Sequence, residues 1–255
     1  MTQYAMVIDL RKCVGCGACA LACKTENNTA LRRNGQTFNW ADFVHETTGT
    51  FPNTGYRTLP VLCNHCSNAP CVEACPVEPK AMFKTPDGIT MHNDERCIGC
   101  RACQEACPYS MDEVEKDGAY GEYSVISFNE EGKPTQPFFT DKTELIKDGS
   151  TSAAELAALT GTNPPHQTMY DHPDYESVRR DNIVEKCILC DHRLKNMELP
   201  ACVEACPSDA RVVGDISDSS SDAAQLLKKH KNFVLQPGEG TKPNVYYIRE
   251  YSARK

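Results

Sequence analysis

The arrangement of the cysteines constrains this chain more than any other feature of its sequence. The 255 residues include 16 cysteines, and each of them belongs to one of four groups of four. In chain order the groups are Cys13, Cys16, Cys19 and Cys23; Cys63, Cys66, Cys71 and Cys75; Cys97, Cys100, Cys103 and Cys107; and Cys187, Cys190, Cys202 and Cys206. An interpretation of the fold therefore has to use all four groups and leave no thiol over.

The spacing within the groups indicates an internal duplication. The first and third groups share the tight pattern C-x2-C-x2-C-x3-C. The second group reads C-x2-C-x4-C-x3-C and the fourth C-x2-C-x11-C-x3-C, and both end in Cys-Val-Glu-Ala-Cys-Pro, at 71–76 and 202–207. The order tight, loose, tight, loose is typical of a chain that contains one unit twice.

Two other uses of clustered cysteines fit the sequence less well. A disulfide framework is typical of short secreted chains, whereas this chain is long and its first ten residues lack the features of a secretory signal. Zinc sites usually take two cysteines from each of two separated C-x2-C knuckles, but in both tight groups three thiols fall within seven residues. We therefore expect iron–sulfur clusters rather than disulfides or zinc.

A cubane [4Fe–4S] cluster needs four thiolates, and a C-x2-C-x2-C loop can supply three of them. The fourth cysteine lies in a first helical turn and points away, so that in two-cluster ferredoxins it ligates the other cluster. Four groups thus predict four [4Fe–4S] clusters with every cysteine as a ligand. Two pairings are open: first with fourth and second with third, or first with second and third with fourth. The short connection 76–96 favours the first, nested pairing.

The short segments around the groups predict an α+β fold with two bacterial-ferredoxin-like modules, one inserted in the other, and loop-rich excursions. We assign residues 1–62 plus 181–255 to one module with two clusters and residues 63–128 to the inserted module with the other two. Residues 129–180 are interpreted as a surface excursion that offers a docking segment. Strands are expected at 4–9, 88–92, 124–128 and 244–249, and helices at 153–159 and 221–230.

The remaining composition excludes several functions. Acidic residues outnumber basic ones by 35 to 27, so a nucleic-acid partner, which needs a basic surface, is not expected. No apolar run reaches the ~18–20 residues that cross a bilayer, so we expect no transmembrane segment in this chain. The seven histidines are scattered and are expected at the surface or in hydrogen bonds. Since all thiols are used and no G-x-G-x-x-G or Walker loop is present, we expect electron relay and no catalytic residues.

Basic residues next to the cysteine groups offer a means of tuning the clusters. Lys12, Arg96 and Lys186 each directly precede the first cysteine of a group. A cluster with four thiolate ligands is an anion, so a nearby cation favours the uptake of an electron. The alternative is that these three residues are ordinary surface cations.

The sequence resembles a known family, the four-cluster electron-transfer subunits of molybdopterin oxidoreductases in the dimethyl sulfoxide reductase superfamily. The motifs that carry the likeness lie at 13–19, 63–71, 97–100, 187–193 with 200–202, and 240–247. The likeness covers nearly the whole chain and is weakest over 109–180. Residues 6–10, 23–28, 148–152 and 214–218 look most like the subunits that serve arsenate, polysulfide or tetrathionate reductases, among which we favour arsenate.

The resemblance supports the nested pairing and a definite set of ligands. The four predicted ligand sets are Cys13, Cys16, Cys19 and Cys206; Cys187, Cys190, Cys202 and Cys23; Cys63, Cys66, Cys71 and Cys107; and Cys97, Cys100, Cys103 and Cys75. In this family the cluster subunit is not itself catalytic. We accordingly expect a non-catalytic electron-transfer subunit of an oxidoreductase complex.

The resemblance also implies partners and a location. The expected partner is a large catalytic subunit with a molybdenum or tungsten bis-pterin cofactor, together with a membrane anchor subunit or cytochrome. Such catalytic subunits typically carry a twin-arginine signal and export the cluster subunit with them, which predicts an extracytoplasmic location and is also compatible with a cytoplasmic one. The competing interpretation is an independent soluble polyferredoxin that serves several redox partners.

Overall fold

The computed structural model describes residues 2–27, 29, 39–110, 124–129, 143–144, 149, 151–161 and 182–248. Most of the predicted excursion 129–180 lies outside these ranges. The strands are β1 Tyr4–Asp9, β2 Ala41–Thr50, β3 Asn53–Leu62, β4 Met82–Lys84, β5 Thr90–His92, β6 Ser127–Asn129, β7 Ile183–Glu185, β8 Arg211–Asp215, β9 Asn232–Phe233 and β10 Val245–Ile248. The helices are α1 Ala18–Asn27, α2 Pro70–Glu73, α3 Ala102–Ala106, α4 Ala153–Thr160, α5 Asp191–Lys195, α6 Ala201–Glu204 and α7 Asp222–Lys229.

This content is the predicted α+β class, and the predicted strands and helices are present with small shifts of boundary. The expected strand 88–92 begins two residues late, at Thr90, because Gly88 adopts φ +87° in the turn before it. A conformation with positive φ suits glycine and ends the extended backbone. Within the described ranges, none of the helices combines the length and apolar character that crossing a bilayer takes.

The largest sheet joins the two ends of the chain. Its order is β8-β1-β10-β9, with β1 parallel to β10 and antiparallel to β8. Every residue of β1 except Tyr4 is buried. Because side chains alternate between the faces of a strand, both faces of β1 are covered: Met6 and Ile8 pack in the main core, and Val7 packs with Ala223 and Ile248 on the other face.

The strand pairs link the segments that flank the cysteine groups. β1 precedes the first group and pairs with β8, which follows the fourth group. β4 and β5, between the second and third groups, form a hairpin. A further pair, β6 with β7, joins the strand after the third group to the strand before the fourth. The division into modules 1–62 plus 181–255 and 63–128 stays a prediction, and the β6–β7 pair shows that backbone hydrogen bonds cross that boundary.

A long antiparallel hairpin was not predicted from the sequence. β2 and β3 pair over their full length, from Ala41 opposite Leu62 to Thr50 opposite Asn53. The base of the hairpin is buried, whereas the residues towards its tip are exposed. The hairpin therefore projects from the body of the protein.

Each cysteine group contains a helix near its C-terminal end, and in three of the four groups a proline follows the fourth cysteine. α2, α3 and α6 stop before the fourth cysteine of their groups, which Pro76, Pro108 and Pro207 follow. A residue that precedes proline disfavours the helical conformation, and Cys107 is indeed extended at φ −83°, ψ 114°. The first group has Lys24 at this place, and α1 continues to Asn27.

Candidate metal centres

The structure brings the thiols of each predicted ligand set together. We call these sets site A (Cys13, Cys16, Cys19, Cys206), site B (Cys23, Cys187, Cys190, Cys202), site C (Cys63, Cys66, Cys71, Cys107) and site D (Cys75, Cys97, Cys100, Cys103). The cysteines of sites A, C and D each line a cavity with about 320, 330 and 300 Å³ of space free of protein atoms, open margins included. In all three cavities the fourth cysteine of one group faces the first three of another.

Site B is assembled by the contact between α1 and α6. All four of its thiols are buried. Burial, and after it the neighbouring Cys187, Cys202 and Cys190, raise the pKa of Cys23 well above its ordinary value. Because one thiol influences another only at short range, Cys23 lies beside the three cysteines of the fourth group rather than beside its own group alone.

These thiols are poor acids without a metal. Burial first, and the neighbouring Cys63 second, raise the pKa of Cys66 to about 11 and that of Cys71 to about 12. In site B, burial and Cys202 raise the pKa of Cys190 to about 12. A metal must be bound by thiolates and deprotonates the thiols that coordinate it. The sites are therefore built for a strongly cationic occupant that holds several sulfurs at once.

The size of the cavities distinguishes a cluster from a single ion. Zinc binds sulfur at about 2.3 Å, so four thiols around zinc almost touch one another and enclose no space. Here the four thiols of site D instead line a space of about 300 Å³ free of protein atoms, open margins included, so they do not close on a single point. The residues present fit a cubane of iron and sulfide, which presents its four irons to four thiolates at the corners of a larger body.

Backbone amides also point at the cysteine sulfurs. The N–H groups of Gly99, Leu189 and Ala210 donate to the Sγ atoms of Cys97, Cys187 and Cys206 at 3.4, 3.3 and 3.3 Å. The loop at Gly99 needs glycine, because φ is +69° and a Cβ there would collide with the carbonyl oxygen of Asn182. Such amide bonds to sulfur stabilise added negative charge and raise a cluster's reduction potential.

Of the three cations singled out in the sequence, Lys186 alone is buried. Its Nζ donates to the carbonyl oxygens of Thr90 at 2.5 Å and Cys187 at 2.7 Å, and its side chain lines site C. Lys12 and Arg96 are exposed, where water and salt screen their charges. Of these three residues, only Lys186 has a buried position next to a site, as a cation that is to change the reduction potential of a cluster requires.

Three histidines of the described residues, His65, His92 and His192, are buried in the interior rather than placed at the surface. Nδ1 of His65 accepts a hydrogen bond from the backbone N–H of Thr90 at 3.2 Å, which agrees with the expected hydrogen-bonding role. His92 is buried and lines site D, a position that was not expected for any histidine. Burial, and after it the charge of Lys186, lower the pKa of His92 to about 3. His92 is therefore a neutral imidazole at physiological pH.

A buried arginine was missed altogether. Arg211 begins β8, is 3% exposed, and lines site A. Its position five residues after Cys206 was the available signal, because a residue so close to a ligand in the chain can face the site.

Three pairs of sites lie next to one another, because a thiol of one site influences a thiol of the other. Burial and then Cys71 of site C raise the pKa of Cys103 in site D, and burial and then Cys63 of site C raise the pKa of Cys187 in site B. Burial raises the pKa of Cys202 in site B, Arg211 opposes this, and Cys19 of site A adds to it. From these three neighbouring pairs we infer that the sites lie in single file, in the order D, C, B, A. All thiols of the inner sites B and C are buried, whereas Cys16 of site A and Cys100 of site D are exposed.

A chain with four such sites and no other reactive centre among its described residues belongs to the class of cluster-binding electron-transfer proteins. Comparison with known protein families agrees with this class. The 4Fe-4S dicluster domain matches residues 54–125 and 139–216, and the 4Fe-4S binding domain matches residues 4–25.

Individual relatives cover almost the whole chain. The arsenate respiratory reductase iron-sulfur subunit ArrB of Shewanella sp. (strain ANA-3) is 43% identical over 253 residues, which are 99% of this chain and 98% of the relative. A tetrathionate reductase subunit of Salmonella typhimurium is 32% identical, over 96% of this chain and 72% of the relative. A selenate reductase subunit of Mesobacillus selenatarsenatis is 31% identical, over 96% and 72%.

The chain belongs to the family of 4Fe–4S dicluster iron–sulfur subunits of reductases. It carries four [4Fe–4S] clusters and serves electron transfer in a reductase complex, without being the catalytic subunit. The predicted family, class and cofactor are thereby confirmed. The assignment of individual cysteines to individual clusters stays a prediction.

Proposed function

We propose that this chain relays single electrons between a large catalytic subunit with a molybdenum or tungsten bis-pterin cofactor and a membrane-bound quinol or haem partner. The observation that carries the proposal is the single file of four thiol-lined sites with an exposed cysteine at each end. A free carrier with several partners needs one exposed centre, whereas a relay between two fixed partners needs two. The inner sites are shielded, so electrons enter and leave at sites A and D.

The same proposal includes the ligand sets. Site A holds one cluster through Cys13, Cys16, Cys19 and Cys206, and sites B, C and D hold the others through their own four cysteines. The clusters supply one-electron redox chemistry when bound. The protein's part is to keep the inner sites dry, to hold neighbouring sites close, and to aim amide and cationic groups at the sulfurs.

The surface at both ends of the file suits docking. Val14 next to site A and Ile98 next to site D are 73% and 65% exposed. Each stands between the first two cysteines of a tight group, so the same apolar position marks both ends. Apolar residues in the buried centre of an interface exclude water. We place one partner on each end.

For the substrate of the complex we propose arsenate, and for its location the extracytoplasmic side of the membrane. Support for arsenate comes from the relative ArrB, which is 43% identical to this chain, whereas the tetrathionate and selenate relatives are 32% and 31% identical over shorter alignments. The location rests on the family's habit of export with the catalytic subunit. Cell fractionation with an antibody against this chain tests the location, and recovery in the cytoplasm contradicts it.

Purification of the native protein from its host without oxygen tests the proposed complex. We expect this chain in equal stoichiometry with a large chain that contains molybdenum or tungsten, four irons for each of four clusters in this chain, and arsenate reduction driven by reduced methyl viologen. A chain that elutes alone with four clusters supports the independent polyferredoxin instead. Faster reduction of tetrathionate, polysulfide or selenate than of arsenate contradicts the proposed substrate only.

A further inference from the structure

Arg211 stands between two of the sites. It is the first residue of β8, opposite Ile8 of β1, and it lines site A together with Cys13 and Cys19. The strand β8 that Arg211 begins also contacts α6, which carries Cys202 of site B, and the charge of Arg211 opposes the rise that burial causes in the pKa of Cys202 and of Cys23 there. One guanidinium thus faces thiols of both sites.

The charge of Arg211 is buried without a carboxylate partner. The residue is 3% exposed, and neither Nη1 nor Nη2 has a hydrogen-bond partner among the described residues. No carboxylate within the described ranges forms an ion pair with it. Burying a cation without a counter-charge costs several kcal/mol, so a fold that retains Arg211 here must bind an anion beside it.

The two neighbouring sites can supply that anion. Each combines four thiolates with a cluster, and Nη1 and Nη2 of Arg211 have hydrogens to offer to acceptors there. The planar guanidinium has five N–H donors in a fixed fork, so it can serve two acceptors on different sides at once. The single ammonium of a lysine cannot do so with equal geometry.

We propose that Arg211 contacts both the cluster of site A and the cluster of site B, and that its charge raises the reduction potential of each. This inference rests on the proposed ligand sets. Reduction adds one negative charge to a cluster, and a buried cation stabilises the reduced form more than the oxidised form. The effect is confined to sites A and B, because Arg211 lines neither site C nor site D. The cation that lines site C is Lys186.

The test is a potentiometric titration of the chain followed by electron paramagnetic resonance, with the four signals assigned to sites A, B, C and D through Cys16→Ser, Cys190→Ser, Cys66→Ser and Cys100→Ser respectively. Arg211→Gln keeps hydrogen-bond donors and removes the charge. Arg211→Lys keeps the charge and removes the fork. Lys12→Gln is the matched control, because it removes an exposed charge next to Cys13 of the same site A.

We expect Arg211→Gln to weaken the one-electron reduction of sites A and B about tenfold each, which corresponds to ~59 mV. Sites C and D are expected to keep their potentials, and Arg211→Lys to give a smaller shift at A and B. Equal shifts at all four sites, no shift at A and B, or an equal shift in Lys12→Gln would overturn the inference. Should Arg211→Gln fail to assemble its clusters, Arg211→Met, which removes the charge and keeps an unbranched side chain, takes its place, and unchanged potentials at sites A and B in that variant overturn the inference.

The two levels of proposal fail in different ways. If the wild-type chain holds fewer than four clusters, or if Cys16→Ser alters another site than A, the proposed ligand sets are wrong. If the wild-type chain holds four clusters on those ligands and the Arg211 variants show no selective shift, the ligand sets stand and only the role of Arg211 is wrong.

Discussion

At the scale of the residue, the fourth cysteine of each group decides how the sites are connected. Cys23 lies in α1, after the first three cysteines of its group. Burial, and after it Cys187, Cys202 and Cys190, raise its pKa. Asn27, one turn further along α1, donates its Nδ2 to the carbonyl oxygen of Cys23 at 3.1 Å and to its Sγ at 3.5 Å. The helix therefore fixes the direction of this sulfur towards site B.

Replacing Cys23 with serine should damage site B and spare site A. Serine presents a weaker ligand to iron, so we expect site B to convert to a three-iron cluster or to lose its cluster, while the signal of site A persists. Electron paramagnetic resonance of oxidised and reduced protein distinguishes these species. Cys13→Ser is the matched control and should damage site A alone. Loss of the site A signal in Cys23→Ser with site B intact would show that Cys23 ligates the cluster of its own group.

The residue scale also shows what the sequence could and could not predict. The cysteine groups can be recognised by their spacing, because a loop that wraps three corners of a cubane has few permissible lengths. Arg211 and His92 carry no such spacing. Each of them faces a site only if the right face of its strand, β8 or β5, packs inward. Pairing with other strands decides which face does so, and the partner can be far away in the chain, as β1 is for β8.

At the scale of the element, α1 differs from the other cluster helices by its length. Lys24 replaces the proline of the other groups, and the extra turn carries Glu26 to α5. The Glu26 carboxylate accepts hydrogen bonds from Nε2 of His192 at 2.7 Å and Nη1 of Arg193 at 3.0 Å. The bond from His192, against the effect of burial, and the charge of Arg193 hold the pKa of Glu26 below its ordinary value. This contact braces the helices around site B.

Lys24→Pro should remove that brace. Proline within a helix loses a hydrogen bond and clashes with the preceding turn, at a cost of about 3 kcal/mol. For a chain of this size such a loss lowers the midpoint of thermal unfolding by about 6–12 °C. This midpoint can be measured under nitrogen from the loss of the clusters' visible absorbance on heating. The control Lys24→Ala keeps the helix and should change the midpoint little. An unchanged midpoint in Lys24→Pro would mean that the extra turn contributes nothing to stability.

The helix α7 gives a second test at this scale, away from the clusters. The Oγ of Ser221 accepts a hydrogen bond from the backbone N–H of Ala224 at 3.2 Å and caps the helix. We expect Ser221→Ala to cost about 1 kcal/mol and to speed hydrogen exchange in residues 222–229. The control Ser220→Ala alters an exposed hydroxyl outside the cap. Equal exchange in both variants, or altered cluster spectra in Ser221→Ala, would contradict this assignment.

Elements with a local signal were predictable, whereas the β2–β3 hairpin was not. The cap and basic last turn of α7, and the apolar run of β1, are encoded in neighbouring residues. Residues 41–62 instead mix polar and apolar side chains without a clear alternation, since only the base of the hairpin packs on the core. Strand pairing that depends on backbone hydrogen bonds in an exposed ribbon leaves little trace in side-chain pattern.

At the scale of the whole molecule, the thiols are part of the core. Cysteines from all four groups pack in one cluster of buried residues with Met6, Ile8, Tyr247 and others. Binding free energy at such sites is also folding free energy, because the unfolded chain has no preformed site. The composition predicted a cluster protein, yet it could not predict that backbone pairing such as β6 with β7 would tie the two predicted modules into one body.

The single file of sites makes a prediction about the magnetic properties of the fully reduced protein. Each reduced cluster carries an unpaired spin that couples to its close neighbours, so sites A and D report the presence of B and C respectively. We expect Cys190→Ser, which disrupts site B, to leave site A as a narrow, slowly relaxing signal without coupling. The coupling between sites C and D should persist, because these sites are neighbours through Cys71 and Cys103 and do not need site B between them.

The control for this experiment is a cysteine substitution at a terminal site of the series. Cys100→Ser disrupts site D and should leave the coupled series A, B and C intact. Pulsed electron paramagnetic resonance measures the relaxation of each signal. If site A keeps its fast relaxation after the loss of site B, a second cluster lies next to it and the order D, C, B, A is wrong. If site A becomes isolated, electrons that pass from one end to the other have to cross site B, because no parallel route connects the two halves.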